Sequence, residues 1–476
     1  MLRHIAGFLL ALLTAVTALA QTDDKPANWS GSVELPGGMK LDFSVSLTPS
    51  GGTISIPMQG VKDLPLSDVQ VTPKQLKFGI KQAGAAWELQ VADDGQSAQG
   101  VLKQGGEFKT TMKRLAEGES AVKELNRPQE PKAPFPYDAH EVTFENQADG
   151  ISLAGTLTIP RGDGPFPCVV LVSGSGPQNR DELLLGHKPF LVLADHLTRH
   201  GIAVLRFDDR GVAQSQGVFL TATTDDFARD ALAAVKFLAA RSEINPHQIG
   251  IAGHSEGGIV APMCAALSKD VAFIVLLAGT GMMGADLLPI QSRLISVATG
   301  TDEALAQAQA KESAAILKMV VAGAERGDVE RAIREAAIRE FKAAPETKDL
   351  PDDELTAKAD AVVQQQSAAL FTPWFKRFLT LDPRDYLRKV SCPVLAINGT
   401  LDLQVPPKDN LPLIEAALKQ GGNTDVTIVE LPHLNHLFQT CKTGSPTEYS
   451  EIEETFSPVA LETVTNWIRK HTGLDK

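Results

Sequence analysis

The chain holds 476 residues, with a formal net charge of −13, 43% hydrophobic residues and 22% charged ones. That length predicts two or three structural units, each with apolar material enough for a core. The acidic balance argues against nucleic acid and anionic membrane surfaces as partners.

Residues 1–20 read as a secretory signal. Arg3 gives a positive start, Ile5 to Leu19 is apolar and alanine-rich, and Ala18-Leu19-Ala20 presents small residues before a cut at Gln21. The apolar run is shorter than the ~20 residues a spanning helix needs. No cysteine follows the cut, which disfavours a lipoprotein. The expectation is a secreted protein of a bacterial periplasm, with no membrane span in the mature chain.

An all-β N-terminal domain is expected over 21–122. Trp29, Val33 and Leu35 share one face, and after the turn signal Pro36-Gly37-Gly38 so do Leu41, Phe43, Val45 and Leu47. Leu76, Phe78 and Ile80, then Trp87, Leu89 and Val91, repeat the alternation. Half-buried antiparallel strands in a sandwich or small barrel fit this period of two. A proline-rich, charged linker follows over 123–138, including Arg127-Pro128-Gln129-Glu130-Pro131.

Over 139–476 the pattern changes to α/β. Val142 to Phe144 and Ile151 to Ile159 predict a leading hairpin. Continuous apolar runs follow at Cys168–Val172, Ile202–Leu205, Ile249–Ala252, Phe273–Leu277, Val394–Ile397 and Val426–Leu431. Helical segments separate them, among them Asp225–Arg241 with Thr224 as the expected N-cap. Such runs are strands buried on both faces, so the sheet is mostly parallel and flanked by helices. From about 282 to 380 the alternation stops, and Ala, Glu, Lys and Arg predict several inserted helices. An insertion there lies over the carboxyl ends of the strands, where α/β ligands bind, and is expected to form a cap.

Cys168, Cys264, Cys392 and Cys441 show no CxxC or Cys/His spacing. They are expected to pack as small hydrophobes, and neither a metal site nor a cofactor is expected.

Gly253-His254-Ser255-Glu256-Gly257 stands between the run ending Ile251-Ala252 and a helical segment, the context of a G-x-S-x-G nucleophile elbow. With glycine usage near 7%, chance alone gives that pattern in roughly one chain in seven of this length. Partners must therefore support it. A serine nucleophile needs a histidine base and an orienting carboxylate, in the chain order Ser, acid, His. Asp402 follows the strand ending Ile397-Asn398-Gly399, and His436 follows the next strand. His433, Asp382, Asp385 and Asp409 are nearby rivals, but Asp402 and His436 each sit just past a strand at the edge that carries Ser255. The oxyanion donors are expected to be the backbone N–H of Glu256 and that of Ser175, with Gly176 second. Side-chain replacement at Ser175 or Glu256 is expected to test this poorly, since the donors are main-chain groups.

Ser173-Gly174-Ser175-Gly176-Pro177-Gln178-Asn179-Arg180-Asp181-Glu182, Arg206-Phe207-Asp208-Asp209-Arg210-Gly211, the elbow and Asn435-His436-Leu437-Phe438-Gln439 occur together in order. In this the chain resembles EstD-type carboxylesterases of the α/β-hydrolase superfamily, related to its serine aminopeptidase-like branch. The resemblance runs from about residue 140 to the C-terminus. It implies Ser255 as nucleophile, Asp402 as acid and His436 as base, with a helical cap and a β-rich N-terminal domain on an exported protein. One departure is Gly211-Val212-Ala213-Gln214-Ser215, where the family usually carries Gly-Val-Gly-Lys-Ser.

The expected function is hydrolysis of a small-molecule acyl ester through an acyl-enzyme on Ser255. A serine aminopeptidase or an acyl thioesterase would use the same three residues. Export removes the chain from the coenzyme A pool, and no acid can be assigned to hold a free amine. A non-catalytic cell-envelope binding protein is the rival of a different class.

Overall fold

Nine strands arise from the alternating N-terminal stretch: β1 (Ala27–Glu34), β2 (Lys40–Thr48), β3 (Gly51–Ile56), β4 (Val61–Pro65), β5 (Ser67–Val71), β6 (Gln75–Ile80), β7 (Ala85–Val91), β8 (Ser97–Lys103) and β9 (Glu107–Arg114). The computed structural model describes residues 26–34, 40–49, 51–59, 61–104, 106–116, 126–344 and 347–475. The leader expected at 1–20, the turn at 36–38 and the first residues of the linker lie outside the described residues.

These strands form one antiparallel sheet in the order β4-β3-β2-β1-β9-β8-β7-β6-β5. It curls until β5 packs on β2 and β3, and the Leu66 N–H donates to the Gly52 carbonyl at 2.9 Å. Of the two expected arrangements, this single curled sheet corresponds to the barrel. Its alternation buries Trp29, Val33, Phe43, Val45, Phe78, Trp87 and Leu89 on the concave side. Gly31 pairs with Phe43 across the strands, and a Cβ at Gly31 would lie 2.3 Å from that ring. Phe43 thus covers a bare stretch of backbone. Phe78 stacks on Trp87 with centroids 5.2 Å apart.

The proline-rich stretch is docked from Arg127 onward. The Arg127 guanidinium donates to the carbonyls of Leu185, Gly186, Ser450 and Ile452 at 3.0–3.2 Å. The Gln129 amide bonds the main chain of Thr455 and Phe456. A linker so paired is part of the packed structure.

The second sheet is built from β10 (Tyr137–Asn146), β11 (Ile151–Pro160), β12 (Phe166–Val172), β13 (Ala203–Phe207), β14 (Ile244–His254), β15 (Phe273–Leu277), β16 (Val394–Gly399) and β17 (Val426–Leu431). Its order is β10-β11-β13-β12-β14-β15-β16-β17. β10, β11 and β13 pair antiparallel, and every other pair is parallel. An eight-stranded, mostly parallel sheet in this order is the α/β-hydrolase topology.

Helices cover both faces, which is why the strand runs are continuously apolar. α1 (Pro189–Arg199), α2 (Thr224–Ala239) and α3 (Gly257–Leu267) precede the insertion. Between β15 and β16 the chain inserts α4 (Gly284–Ala298), α5 (Glu303–Val321), α6 (Arg326–Ala343), α7 (Asp352–Leu370) and α8 (Pro373–Thr380), followed by a short helix just before β16. The short α9 (Arg384–Leu387), then α10 (Pro407–Gln420) and α11 (Pro458–Thr472), complete the chain. Val169 and Leu171 of β12 lie in the core that also holds residues of α1 and α11, whereas Cys168 and Val170 lie in the core that holds residues of α2 and α3. All four cysteines are unpaired.

α2 starts one residue from the expected cap. Thr223, not Thr224, is the N-cap, in a reciprocal capping box with Asp226. Thr224 is released for another contact, described below.

Removing the Trp87 ring would leave a large void in the curled sheet. Trp87→Ala is expected to cost about 3–5 kcal/mol. The Trp87 Nε1 is buried without a partner, so Trp87→Phe loses no hydrogen bond and should cost much less. Shifts in the chemical denaturation midpoint of the two variants measure the difference.

Candidate active site

Ser255 occupies the turn between β14 and α3, with φ of 53°, a left-handed conformation that side chains disfavour. Its N–H donates to the Leu277 carbonyl on the neighbouring strand at 2.9 Å. The turn closes only because side chains are missing around it. A Cβ on Gly253 would lie 1.9 Å from the Gly257 carbonyl oxygen, and one on Gly257 2.2 Å from that of Val172. Small residues two before and two after the serine are thus required by backbone contact.

Asp402 and His436 leave the same edge of the sheet, past β16 and β17. Asp402 is 2% exposed, and its Oδ1 accepts the N–H groups of Gln404 and Val405, each at 2.8 Å. That leaves Oδ2 facing His436 Nδ1 at 2.8 Å. With Nδ1 donating to the carboxylate, Nε2 is the basic nitrogen. The Asn435 side chain holds this loop, accepting from the N–H groups of Leu437 and Gln439, each at 3.0 Å. Gln439 in turn bonds His187 at 2.9 Å, whose burial, the main cause, lowers its pKa to about 4. His433 is exposed and held through its main chain. Asp382 pairs with Arg384 and Asp385 with Arg388, and Asp409 is exposed on α10.

Glycines in the loop after β12 bring its backbone against the elbow. A Cβ on Gly174 would lie 3.1 Å from the Ser255 Cβ. Two neighbouring aspartates past β13 fix the loop from behind. Asp209 accepts from the Ser173 hydroxyl at 2.8 Å and the Gln178 N–H at 2.9 Å. Asp208 accepts from the Arg180 N–H and pairs with its guanidinium. In the variant stretch, Ala213 takes φ of 46°, while Gln214 Oε1 accepts from Arg180 at 2.9 Å. The stretch therefore acts on the loop's support.

The Glu256 side chain had no assigned part, yet it joins four elements. Its carboxylate accepts from the Ser175 hydroxyl at 2.8 Å, the Thr224 hydroxyl at 2.7 Å and the Trp374 indole N–H at 3.0 Å. Ser175 belongs to the loop after β12, Thr224 to α2 and Trp374 to α8. Ser175 and Glu256, expected to act through their backbones, are therefore coupled through their side chains. Burial raises the Glu256 pKa, partly offset by these three bonds from neutral donors.

The structure thus gathers Ser255, Asp402, His436, Ser175 and Glu256 at one edge of the sheet. Sequence reasoning missed Glu182, His254 and Trp374. Glu182 and His254 lie inside the oxyanion-loop and elbow motifs, and their pairing is made only by the tertiary fold. Among the described residues, no group of three or more His, Cys, Asp or Glu is placed to hold a metal ion. No helix among them is long and apolar enough to cross a membrane.

A family model described as X-Pro dipeptidyl-peptidase (S15 family) matches residues 149–435, more than half of the chain. Esterase EstD of Thermotoga maritima is 28% identical over 299 residues, covering 62% of this chain. The match spans 61% of that relative's own length. Among solved structures, the chain is similar to the α/β hydrolase GrgF from Penicillium sp. sh18, at 17% identity and a TM-score of 0.44, covering 71% of this chain and 100% of the other. It is also similar to the Pyrococcus furiosus esterase PF2001, at 17% identity and a TM-score of 0.40, covering 73% and 97%.

Because the folded Glu256 pKa is raised, the native state holds that proton more tightly than the unfolded chain. Its contribution to stability is fullest below the ordinary carboxylate range and declines as pH rises toward the folded value. Glu256→Gln should remove this slope. Melting temperatures compared from mildly acidic to neutral pH should fall less in the variant than in the wild type.

Proposed function

The chain belongs to the X-Pro dipeptidyl-peptidase (S15) family, and we propose that it is an exported serine carboxylesterase. The observation that carries this reading is the buried Asp402–His436 pair, 2.8 Å apart, at the sheet edge that also bears the strained elbow of Ser255. The similarity to Esterase EstD favours an ester as substrate.

In this mechanism the Ser255 hydroxyl attacks the acyl carbonyl while His436 Nε2 takes its proton. Asp402 holds the imidazole in the tautomer that leaves Nε2 free and stabilises the imidazolium. The tetrahedral oxyanion is met by the backbone N–H groups of Ser175 and Glu256, aided by the positive end of α3. Collapse expels the alcohol, which receives the proton from His436. Water, activated by the same base, then releases the acid from the acyl-enzyme.

The helices from about 282 to 380 are the cap in this reading, and the contact of Trp374 on α8 with Glu256 supports it. The β-rich unit at 21–122, the linker at 123–138 and the hydrolase unit at 139–476 are the proposed division. Residues 1–20 are the proposed export signal, directing the protein to a periplasm.

The description of the matched family favours a second reading, a dipeptidyl-peptidase acting at X-Pro. Nitrophenyl esters of rising acyl length, compared with X-Pro nitroanilides, separate the two. Higher kcat/KM on esters is expected, and preference for the nitroanilides would transfer the assignment. A fluorophosphonate should label the wild type and not Ser255→Ala, whose kcat should fall about a millionfold. Asp402→Asn should keep the fold and lower kcat about 10⁴-fold, since it favours the wrong tautomer. Unlabelled but correctly folded wild type would refute a serine nucleophile.

A further inference from the structure

His254 directly precedes Ser255, and its ring is buried between two acceptors. Nδ1 lies 2.8 Å from Glu182 Oε1, and Nε2 lies 3.0 Å from the main-chain oxygen of His436. A carbonyl oxygen has no proton to give, so Nε2 must donate. A neutral imidazole has only one N–H. With that proton on Nε2, the Nδ1 lone pair would face a carboxylate oxygen, a repulsive contact in a dry site. Glu182 Oε1 also accepts the Gly174 N–H at 2.7 Å, so the same oxygen meets two donors when Nδ1 carries a proton. A second ring proton, on Nδ1, satisfies every partner.

We propose that His254 is a standing imidazolium, ion-paired with Glu182, and that this pair clamps the loop after β12 to the loop carrying His436. The inference rests on the serine-hydrolase reading for its effect on catalysis, but not for its protonation. The clamp reaches three segments: Gly174 through Glu182, the elbow through its own backbone, and residue 436 through its carbonyl. His254 and Glu182 are 7% and 4% exposed, so water competes little for either bond. Glu182 takes φ of 51°, a left-handed conformation consistent with tertiary contacts fixing its place.

The charged and titratable groups around the His254 ring are Glu182, His436 and Asp402. Burial works against its charge. The charge and hydrogen bond of Glu182, the His436 carbonyl and the charge of Asp402 outweigh it, and the His254 pKa is raised. The clamp is therefore complete below the ordinary imidazole value and is lost as pH rises through the raised value. His254 and Glu182 act as positioning residues, aligning base and oxyanion donors without touching the acyl group.

Glu182→Gln removes the counter-charge with little change of shape. It should lower kcat on a nitrophenyl ester by about 10²-fold, as a small misplacement of reacting groups does, while KM changes by less than about twofold. The alkaline limb of the rate profile should move to lower pH, and Glu182→Asp should restore part of kcat. Histidine-labelled protein offers a readout independent of substrate. At neutral pH one imidazole should show two N–H correlations, kept in Ser255→Ala, absent in His254→Asn and reduced to one in Glu182→Gln. A single ring proton on His254 in folded wild type overturns the proposal, as does wild-type kcat with an unmoved alkaline limb in Glu182→Gln. If no ester is hydrolysed but two ring protons are present, the esterase reading fails and the ion pair stands.

Discussion

The left-handed turn at Ser255 is the constraint around which the second sheet is arranged. A non-glycine residue at φ of 53° is unfavourable in isolation, so the turn must be held by its surroundings. β14 enters it from the interior of the sheet, flanked by β12 and β15, and α3 leaves it at once. The Ser255 N–H is tied to Leu277 on β15. Bare backbone at Gly253 and Gly257 lets helix and strands approach closer than any side chain would permit. The hydroxyl is thereby presented at the carboxyl edge, where the loops after β12, β16 and β17 also converge.

Those loops are shaped by carboxylates. Asp208 and Asp209 hold the loop after β12 from behind, Glu182 reaches it from its far end, and Asp402 fixes the His436 ring. Glu256 differs in that its three partners are neutral donors drawn from different elements. A buried carboxylate so placed couples the inserted helix α8 to both proposed oxyanion donors. Movement of α8 would free the Trp374 bond and with it one constraint on the elbow.

The N-terminal sheet also reaches this edge. Its core takes in Leu185, Leu437 and Tyr449 from loops of the second sheet. Leu437 follows His436 directly, and Leu185 follows Glu182 by three positions. Apolar packing against the N-terminal sheet therefore braces the two loops that His254 bridges. Arg127, spanning the carbonyls of Leu185, Gly186, Ser450 and Ile452, ties the linker into the same region.

The sequence by itself determined the strand pattern, the elbow and the order of Ser255, Asp402 and His436. Each is local: period-two alternation or short apolar runs mark strands, and the elbow needs small residues at fixed offsets from one serine. It left open the choice between sandwich and barrel. Tertiary structure decided it, since only the curl of one sheet sets β5 against β2 and β3, and the approach of β16 to β17 brings Asp402 within 2.8 Å of His436. It also moved the α2 cap to Thr223, because the hydroxyl of Thr224 is taken by Glu256, 32 residues onward. The Glu182–His254 pair was illegible for the same reason. Its members lie 72 residues apart, and a hydrogen bond across that separation leaves no mark on the local pattern of either.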